Sequence, residues 1–213
     1  MTPPRFISFD GIDGVGKSTQ IERLAEYLRD QGTDVLVVRD PGTTEIGSKL
    51  REILLDGSMS MHRRTEAMLF MASRCEMIET VLRPALAAGK TVISDRFLLA
   101  NVVYQSTNDT QGVPQVAPEI LWKMGHLACG GLHPDLTLLL DLPVDQAYGR
   151  LGQKVDRMEA RGRDYLDRVR HAFLQQLPAT GGRSVVVSAA GSVEEVAERV
   201  TQAVFAGQTS SQS

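Results

Sequence analysis

The sequence predicts an α/β fold in which helices flank a five-stranded parallel sheet. Apolar, β-branched runs recur along the chain with helix-patterned segments between them: Phe6–Phe9, Val35–Val38, Thr91–Ser94, Leu136–Leu140 and Ser184–Val187. Strands that alternate with helices are typical of a parallel sheet. Because ligands bind at the carboxyl ends of the strands in such sheets, chemistry-bearing residues are expected just after each run.

A glycine-rich loop follows the first run. It reads Gly11-Ile-Asp-Gly-Val-Gly-Lys-Ser-Thr19 and fits the pattern G-x-x-x-x-G-K-[ST]. The helix after it carries apolar residues at helical spacing: Ile21, Leu24, Ala25 and Leu28. Strand, loop and helix together indicate a phosphate-binding P-loop, in which Lys17 reaches the β- and γ-phosphates and Ser18 coordinates Mg²⁺. The predicted fold is therefore a three-layer fold of the P-loop NTPase type. Its expected nucleotide-binding residues are Gly11, Asp13, Gly14, Val15, Gly16, Lys17, Ser18 and Thr19.

Arginines follow the second and third runs. Arg39 opens the segment Arg39-Asp-Pro-Gly42, and Arg96 lies in Asp95-Arg-Phe97. Phosphoryl transfer between two anions needs cations that hold both in line, so these arginines are candidates for gripping an acceptor phosphate. Two plainer interpretations stay open: a solvated charge on a turn for Arg39, and a surface ion pair with Asp95 for Arg96.

A long helix-patterned stretch runs from about Arg63 to Ala87, and Pro84 is expected to kink or end it. Phe70 and Arg74 are four residues apart, so they share a helix face and could stack on and hydrogen-bond a base. Spacing alone favours another interpretation, a core phenylalanine beside a surface arginine. The stretch offers apolar surface for a two-fold dimer through Ala67, Met68, Met71, Cys75 and Ile78.

A basic segment with flanking glycines lies between the fourth and fifth runs. Its cations are Arg150, Lys154, Arg157, Arg161, Arg163, Arg168 and Arg170, and its glycines are Gly149, Gly152 and Gly162. This pattern suits a lid over residues 149–163 that closes on phosphates and excludes water. A solvated helical face with alternating charge is the alternative.

The last helix is predicted by one apolar stripe: Val193, Val196, Ala197, Val200 and Val204. Ser192 is its expected cap, with Glu195 three residues later. Length and composition fit one domain over residues 1–206. The polar segment 207–213 is expected to be a disordered tail.

Composition excludes several classes of protein. The 213-residue chain has a formal net charge of -3, so we expect neither a nucleic acid polymer nor a membrane as partner. It has no apolar run of the ~20 residues that span a bilayer and no signal peptide pattern, so a cytoplasmic location is expected. Cys75 and Cys129 are expected to be free, and Cys129 with His133 lacks the further ligands of a structural zinc site.

Taken together, these motifs resemble the thymidylate kinase family from about Phe6 to Phe173. Five short matches follow one another in the family's order. They are the P-loop with Asp13, Arg39-Asp-Pro-Gly42 for R-E-P-G, Phe70 with Arg74, Asp95-Arg-Phe97 followed by Tyr104-Gln105, and Asp156-Arg-Met-Glu159 for the D-R-x-E of a lid.

The resemblance implies transfer of the ATP γ-phosphoryl group to dTMP, Mg²⁺ dependence and a homodimer. It implies catalytic roles for Lys17, Asp13, Arg96, Arg150 and Arg157. It implies acceptor binding by Asp13, Arg39, Phe70, Arg74, Arg96, Asn101, Tyr104 and Gln105, with Phe70 stacked on thymine. The expected Mg²⁺ ligands are Ser18, Asp13 and Asp95. Gly14 stands where one branch of the family has its catalytic arginine, so the resemblance implies the bacterial-like branch, in which the lid supplies that cation.

Some positions depart from the family pattern. Asp40 replaces the usual glutamate, Thr43 a common glycine, and Ala100 and Val103 stand where serine and alanine are frequent. The loop Ser106–Pro118 matches nothing in the family, so another nucleoside monophosphate or small acceptor stays open. A regulatory GTPase is the other alternative, but Gln153-Lys-Val-Asp156, its nearest approach to N-K-x-D, does not follow an apolar strand.

Overall fold

The computed structural model describes residues 3–56, 58–108, 116–150 and 162–206. Its five strands are β1 Phe6–Asp10, β2 Val35–Arg39, β3 Thr91–Asp95, β4 Leu136–Asp141 and β5 Arg183–Ser188. Its helices are α1 Lys17–Asp30, α2 Glu45–Leu55, α3 Arg63–Met77, α4 Arg83–Ala87, α5 Leu98–Ser106, α6 Pro118–Cys129, α7 Val144–Tyr148, α8 Arg163–Gln176 and α9 Val193–Phe205. A π-helical turn Ile78–Leu82 joins α3 to α4, and a 3₁₀ turn Leu177–Thr180 follows α8.

The strands form one parallel sheet in the order β2-β3-β1-β4-β5. The predicted α/β fold with five parallel strands is thereby confirmed. β1 is central, with Phe9 paired to Asp95 of β3 and Asp10 paired to Leu139 of β4. Arg39 at the end of β2 pairs with Asp95. The loops that follow β1, β2 and β3 therefore begin side by side at one edge of the sheet.

Apolar cores lie on both faces of the sheet because side chains alternate along each strand. Ile7 and Phe9 of β1 belong to a core that includes buried residues of α1, α5, α8 and α9. Phe6 belongs to a second core, formed with residues of α3, α5 and α6. The result is three layers, which leaves the carboxyl ends of the strands open for binding.

The predicted apolar face of the first helix is confirmed, and that of the last helix is confirmed for Val196, Val200 and Val204, whereas Val193 is 41% exposed. Ile21, Leu24, Ala25 and Leu28 are at most 3% exposed. In α9 the Ser192 hydroxyl accepts from the Glu195 N–H, and the Glu195 carboxylate accepts from the Ser192 N–H, which forms the capping box. Two orphan donors at the helix start are satisfied in this way.

Pro84 does not end the long helical stretch. Helical residues continue past it to Ala87, and the hydrogen-bonding pattern changes before it, over Ile78–Leu82. Proline lacks an N–H and its ring clashes with the carbonyl four residues earlier. That carbonyl belongs to Thr80, inside the π-helical turn, where the wider backbone spacing accommodates the ring.

The exposed apolar surface of this stretch is smaller than the sequence predicts. Ala67, Met71 and Ile78 are buried, while Met68 is 55% exposed and Cys75 is exposed. Ala67, Met71 and Ile78 pack into the core on one face of the sheet. Helical periodicity shows which residues share a face, but it does not show whether that face is buried or exposed. Within the described ranges both cysteines are free, no three metal-ligating side chains cluster, and no helix is long and apolar enough to span a membrane.

Candidate active site

The glycine loop lies between β1 and α1 and curls around the ammonium group of Lys17. Lys17 Nζ donates to the carbonyl oxygens of Gly11 and Ile12 at 3.1 and 2.9 Å, and it lies 3.4 Å from Asp13 Oδ1. The side chain is 7% exposed. Burial, and after it the charge of Arg96, lower the pKa of Lys17. The ammonium is thus held over the loop rather than extended into solvent.

Gly14 has no room for a side chain. Its φ is +83°, and a Cβ built there would lie 2.2 Å from the carbonyl oxygen of Ala147 in α7. Both the left-handed backbone and the close approach require glycine. The P-loop therefore rests directly on α7, and an arginine at this position would displace that helix.

Arg96 follows β3 in a left-handed conformation with φ +69°. Its N–H donates to the Phe9 carbonyl at 2.9 Å, and its own carbonyl accepts from the Ser94 hydroxyl at 2.6 Å. Such a conformation costs roughly 1–3 kcal/mol and persists only where the surroundings fix it. The strained backbone aims the guanidinium at the P-loop, where Nη1 donates to the Gly11 carbonyl at 3.0 Å.

Asp13 is the counterion of two cations. Its Oδ1 accepts from Arg96 Nη2 at 2.5 Å and lies 3.4 Å from Lys17 Nζ, and the Tyr104 hydroxyl donates to Oδ2 at 3.4 Å. Burial alone would raise the pKa of Asp13, but Arg96 and Lys17 outweigh it and hold the pKa far below its usual range. The surface pair between Asp95 and Arg96 considered from the sequence does not form; Arg96 pairs with Asp13 instead.

An open cleft of about 650 Å³ runs along this edge of the sheet. Its walls include the P-loop from Asp13 to Thr19, and also Arg39, Asp95, Arg96 and Arg150. Ala189, Gly191, Ser192 and Val193 line it as well. Sequence reasoning did not identify these four as site residues, although the strand-end rule that found Arg39 and Arg96 applies equally after β5.

Arg39 extends into the cleft with 59% of its side chain exposed, and its Nε lies 3.7 Å from Asp95 Oδ2. Thr43 stabilises the turn behind it, because its hydroxyl accepts from the Arg39 N–H at 2.7 Å and donates to the Arg39 carbonyl at 2.8 Å. The departure at Thr43 thus has a structural role. The cation is weakly paired, which leaves it available to an anion.

Spacing alone favoured a buried Phe70 beside an exposed Arg74, and the structure shows a different arrangement. Arg74 is 1% exposed; its Nε donates to Asp40 Oδ2 at 2.6 Å and its Nη1 to Asn101 Oδ1 at 3.1 Å. Phe70 is partly exposed. The interpretation as a core phenylalanine beside a surface arginine is wrong, because Asp40, brought in by the loop after β2, supplies a buried partner for the guanidinium. Burial raises the pKa of Asp40 although Arg74 opposes it.

The three polar residues expected from α5 are all buried. Asn101, Tyr104 and Gln105 are 3%, 6% and 1% exposed. Asn101 Nδ2 donates to Gln105 Oε1, and Gln105 Nε2 donates to Glu66 Oε1 at 2.7 Å. Glu66, on α3, was not among the residues identified from the sequence, since an acidic residue in the first turn of a helix is ordinary there.

Asp10 is a fully buried carboxylate at the end of β1. Neither of its oxygens has a hydrogen-bond partner among the described residues. Burial raises its pKa to about 6, with Arg96 and Lys17 acting in the opposite direction. Buried carboxylate oxygens without a hydrogen-bond partner indicate a binding position for a water molecule or an ion next to the carboxylate.

The end of the expected lid that follows α7 lies at the cleft, which Arg150 lines. Arg150 Nη1 donates to the Ala189 carbonyl at 3.4 Å. On the other side Arg163 lies 4.9 Å above the Tyr148 ring, and Arg170 donates to both oxygens of Asp141 at 2.7 and 2.8 Å. Residues 151–161, with Lys154, Arg157 and the Asp156-Arg-Met-Glu159 match, lie outside the described residues, as does the segment 207–213.

A P-loop after the central strand of a parallel sheet, with arginines at neighbouring strand ends, defines a nucleotide-binding protein of the P-loop kinase class. The family model described as thymidylate kinase matches residues 9–200. The chain belongs to the thymidylate kinase family, as the resemblance in its sequence indicated.

Curated relatives bear the same name. A thymidylate kinase of Rhodopirellula baltica is 62% identical over 198 residues, which cover 93% of this chain and 79% of the relative. Thymidylate kinases of Nitrosomonas eutropha and Bifidobacterium longum subsp. infantis are 41% and 40% identical, covering 94% and 90% of this chain and 92% and 82% of the relatives.

Proposed function

We propose that the chain transfers the γ-phosphoryl group of ATP to dTMP, giving dTDP and ADP. One observation carries the proposal: the P-loop, Arg39 and Arg96 line a single cleft at the carboxyl ends of three adjacent strands. Transfer between two anions requires a donor cradle and acceptor-binding cations that face each other. The kinases to which the chain is similar are named for thymidylate, which identifies the acceptor.

The donor triphosphate binds along the P-loop. Backbone N–H groups from Gly11 to Thr19 and the start of α1 face the β- and γ-phosphates. The Lys17 ammonium, now on the carbonyl oxygens of Gly11 and Ile12, turns toward the phosphates and neutralises charge on the transferred group. The cleft extends past the loop to Ala189, Gly191 and Val193, which gives the nucleoside part of ATP an apolar wall.

The acceptor phosphate binds between Arg39 and Arg96, and Asp13 keeps Arg96 aimed at it. The base lies against Phe70, whose ring is partly exposed. Polar atoms of Arg74, Asn101, Tyr104 and Gln105 determine the orientation of the nucleoside. Because Arg74 is held by Asp40 and Asn101, it offers the base only the N–H positions that those partners leave.

Oxygen ligands suitable for Mg²⁺ line the same cleft. Ser18 presents an exposed hydroxyl and Asp95 a carboxylate that is 14% exposed, a donor set that fits a cation bound by one or two protein ligands and by phosphates. When bound, Mg²⁺ neutralises charge on the transferring phosphates. Asp13, considered a ligand from the sequence, already neutralises Arg96 and Lys17, so we assign it to positioning.

Residues 149–163 act as a lid that brings arginines over the transferring group. Gly14 cannot carry that cation, because α7 occupies the space of a side chain. Arg150 lies on the rim of the cleft and is one candidate, and Arg157 is the other. An arginine contributes more than a lysine here because its planar fork matches two phosphate oxygens.

The test of the reaction is ADP production from ATP and a panel of nucleoside monophosphates, with Lys17→Ala and Lys90→Ala compared. Lys90 precedes β3, at the opposite edge of the sheet, so its variant controls for loss of a positive charge. We expect dTMP to be preferred and Lys17→Ala to lose activity by about 10³-fold or more with the fold retained. Near-normal turnover in Lys17→Ala, or preference for another monophosphate, would contradict the proposal.

A two-fold dimer is the assembly we propose, built on α3 and α6. These helices pack side by side and expose Met68, Ile120 and Leu127, which are 55%, 47% and 85% exposed. Burying such side chains is favourable by roughly 1.5–3 kcal/mol each. Sedimentation at micromolar concentration should give twice the chain mass of 23.3 kDa, and Leu127→Arg should shift it toward the monomer. A parent protein sedimenting only as monomer would exclude the dimer.

A further inference from the structure

A chain of buried hydrogen bonds links α3 to α5 behind the proposed base site. Arg74 Nη1 donates to Asn101 Oδ1 at 3.1 Å, Asn101 Nδ2 donates to Gln105 Oε1, and Gln105 Nε2 donates to Glu66 Oε1 at 2.7 Å. None of the four side chains is more than 3% exposed. The chain therefore begins at a buried cation and ends at a buried carboxylate.

The two ends give this chain one direction. A guanidinium can only donate and a carboxylate can only accept, whereas an amide does both. Asn101 must turn its carbonyl to Arg74, Gln105 must turn its carbonyl to Asn101, and the last N–H must find an acceptor. Glu66 is that acceptor. Without it, the Gln105 amide group would be buried with an unsatisfied donor, and rotating away would relieve the cost.

Amide orientation decides which pyrimidine a site accepts. Thymine presents a carbonyl at position 4, where cytosine presents an amino group. Their N3 atoms differ in the same sense, a donor in thymine and an acceptor in cytosine. A flipped amide exchanges its donor for its acceptor, and thereby exchanges the base it complements.

We propose that Glu66 is a positioning residue for acceptor selectivity: it holds the Gln105 amide, and through it Asn101, in the orientation that favours thymine over cytosine. This inference rests on the proposed dTMP kinase activity. Glu66 does not touch the substrate in this scheme. It acts through the carboxylate oxygen that accepts the hydrogen bond from Gln105. The same oxygen, Oε1, also lies 3.3 Å from Arg63 Nη1 in a buried ion pair, and only this pair depends on the negative charge.

Two variants separate these contributions. Glu66→Met removes the acceptor and the charge, whereas Glu66→Gln removes the charge and keeps an oxygen that can accept from Gln105. We expect Glu66→Met to raise the KM for dTMP and to lower the ratio of kcat/KM for dTMP over dCMP by about 10-fold each, with the KM for ATP within twofold. Glu66→Gln should keep the ratio within about twofold of the parent, because Arg74 still sets the direction of the chain.

Melting temperatures of both variants are measured alongside. A folded Glu66→Met protein with the parent's ratio of kcat/KM for dTMP over dCMP would overturn the proposal. The same loss of this ratio in Glu66→Gln as in Glu66→Met would also overturn it, since the charge of Glu66 and not its accepting oxygen would then matter. Should Glu66→Met fail to fold because the buried Arg63 guanidinium loses the charge of Glu66, Arg63→Met/Glu66→Met removes both charges and is expected to show the same change of ratio. An unchanged ratio there would also overturn the proposal. A parent without dTMP kinase activity would count against the proposed function, whereas an active parent with unresponsive variants counts against Glu66 alone.

Discussion

Replacing Gly14 by alanine tests the contact between the P-loop and α7. The added methyl group would meet the Ala147 carbonyl oxygen at 2.2 Å and its carbon at 2.9 Å, both backbone atoms that cannot turn away. Gly32 provides a matched control, since its φ of +79° is close to the +83° of Gly14 and a Cβ there would have no atom within 4 Å. The two substitutions share the backbone strain and differ in the contact.

The expected free energies follow from these two contributions. A left-handed alanine costs roughly 1–2 kcal/mol, of which roughly 0.4–1 kcal/mol is offset because alanine restricts the unfolded chain. Gly32→Ala should therefore lower the free energy of unfolding by about 1 kcal/mol or less. Gly14→Ala adds the displacement of α7, and overpacking of this kind costs about 1–3 kcal/mol, for a sum of about 1–4 kcal/mol.

Urea unfolding of the nucleotide-free protein, followed by far-ultraviolet circular dichroism, measures both variants. Thermal unfolding of the same proteins gives the Tm. A chain of this size loses about 2–4 °C of Tm per kcal/mol, so Gly14→Ala should melt at least about 2 °C below Gly32→Ala. Equal losses in Gly14→Ala and Gly32→Ala would refute the reasoning, since the close approach to α7 would then carry no energy.

Three further predictions concern single side chains. The pKa of Asp10 rises from 3.8 to about 6 on folding, so the protonated carboxyl favours the folded state. About 3 kcal/mol of unfolding free energy is therefore lost as the pH rises from about 3 to about 7. The difference in unfolding free energy between the parent and Asp10→Asn should change by that amount, and a pH-independent difference would contradict it. Arg74→Ala removes the partner of the buried Asp40 carboxylate and should lower the free energy of unfolding by about 3–5 kcal/mol. Arg83→Ala, which breaks an exposed ion pair, is the control and should cost about 1 kcal/mol or less. Equal losses of Tm in the two variants would count against a buried ion pair. Arg150→Ala should lower kcat by up to about 10³-fold with little change in either KM, and a kcat within a few-fold of the parent would remove Arg150 from catalysis.

The strands were predictable because each is a short apolar run bounded by turn residues. Thr91–Ser94 differs from the observed β3 by one residue, Asp95, whose polar side chain hides the strand end from a hydropathy pattern. Strand order was not predictable in the same way. Alternation of strands and helices establishes that neighbours are parallel, but which strand lies beside β1 depends on how the connecting helices pack.

In the candidate site, too, the local features were predictable from the sequence and the long-range contacts were not. The P-loop is a local motif, and its residues are contiguous in the sequence. Arg74 depends on distant partners, since Asp40 and Asn101 are 34 and 27 residues away, and helix spacing carries no information about them. Burial of a charged side chain is decided by such partners, which is why both Arg74 and Glu66 look like surface residues in the sequence.

The anchoring of α8 to the sheet has a consequence for how this chain can vary. Arg170 donates to both oxygens of Asp141, so α8 is tied to the end of β4 by a side-chain contact as well as by the backbone. A charge-assisted contact through two hydrogen bonds fixes the relative position of its partners as well as adding energy. Sequence changes between α7 and α8 that keep Asp141 and Arg170 should therefore leave the packing of α8 on the sheet intact, so this connection can be altered by evolution or by protein engineering with the fold retained.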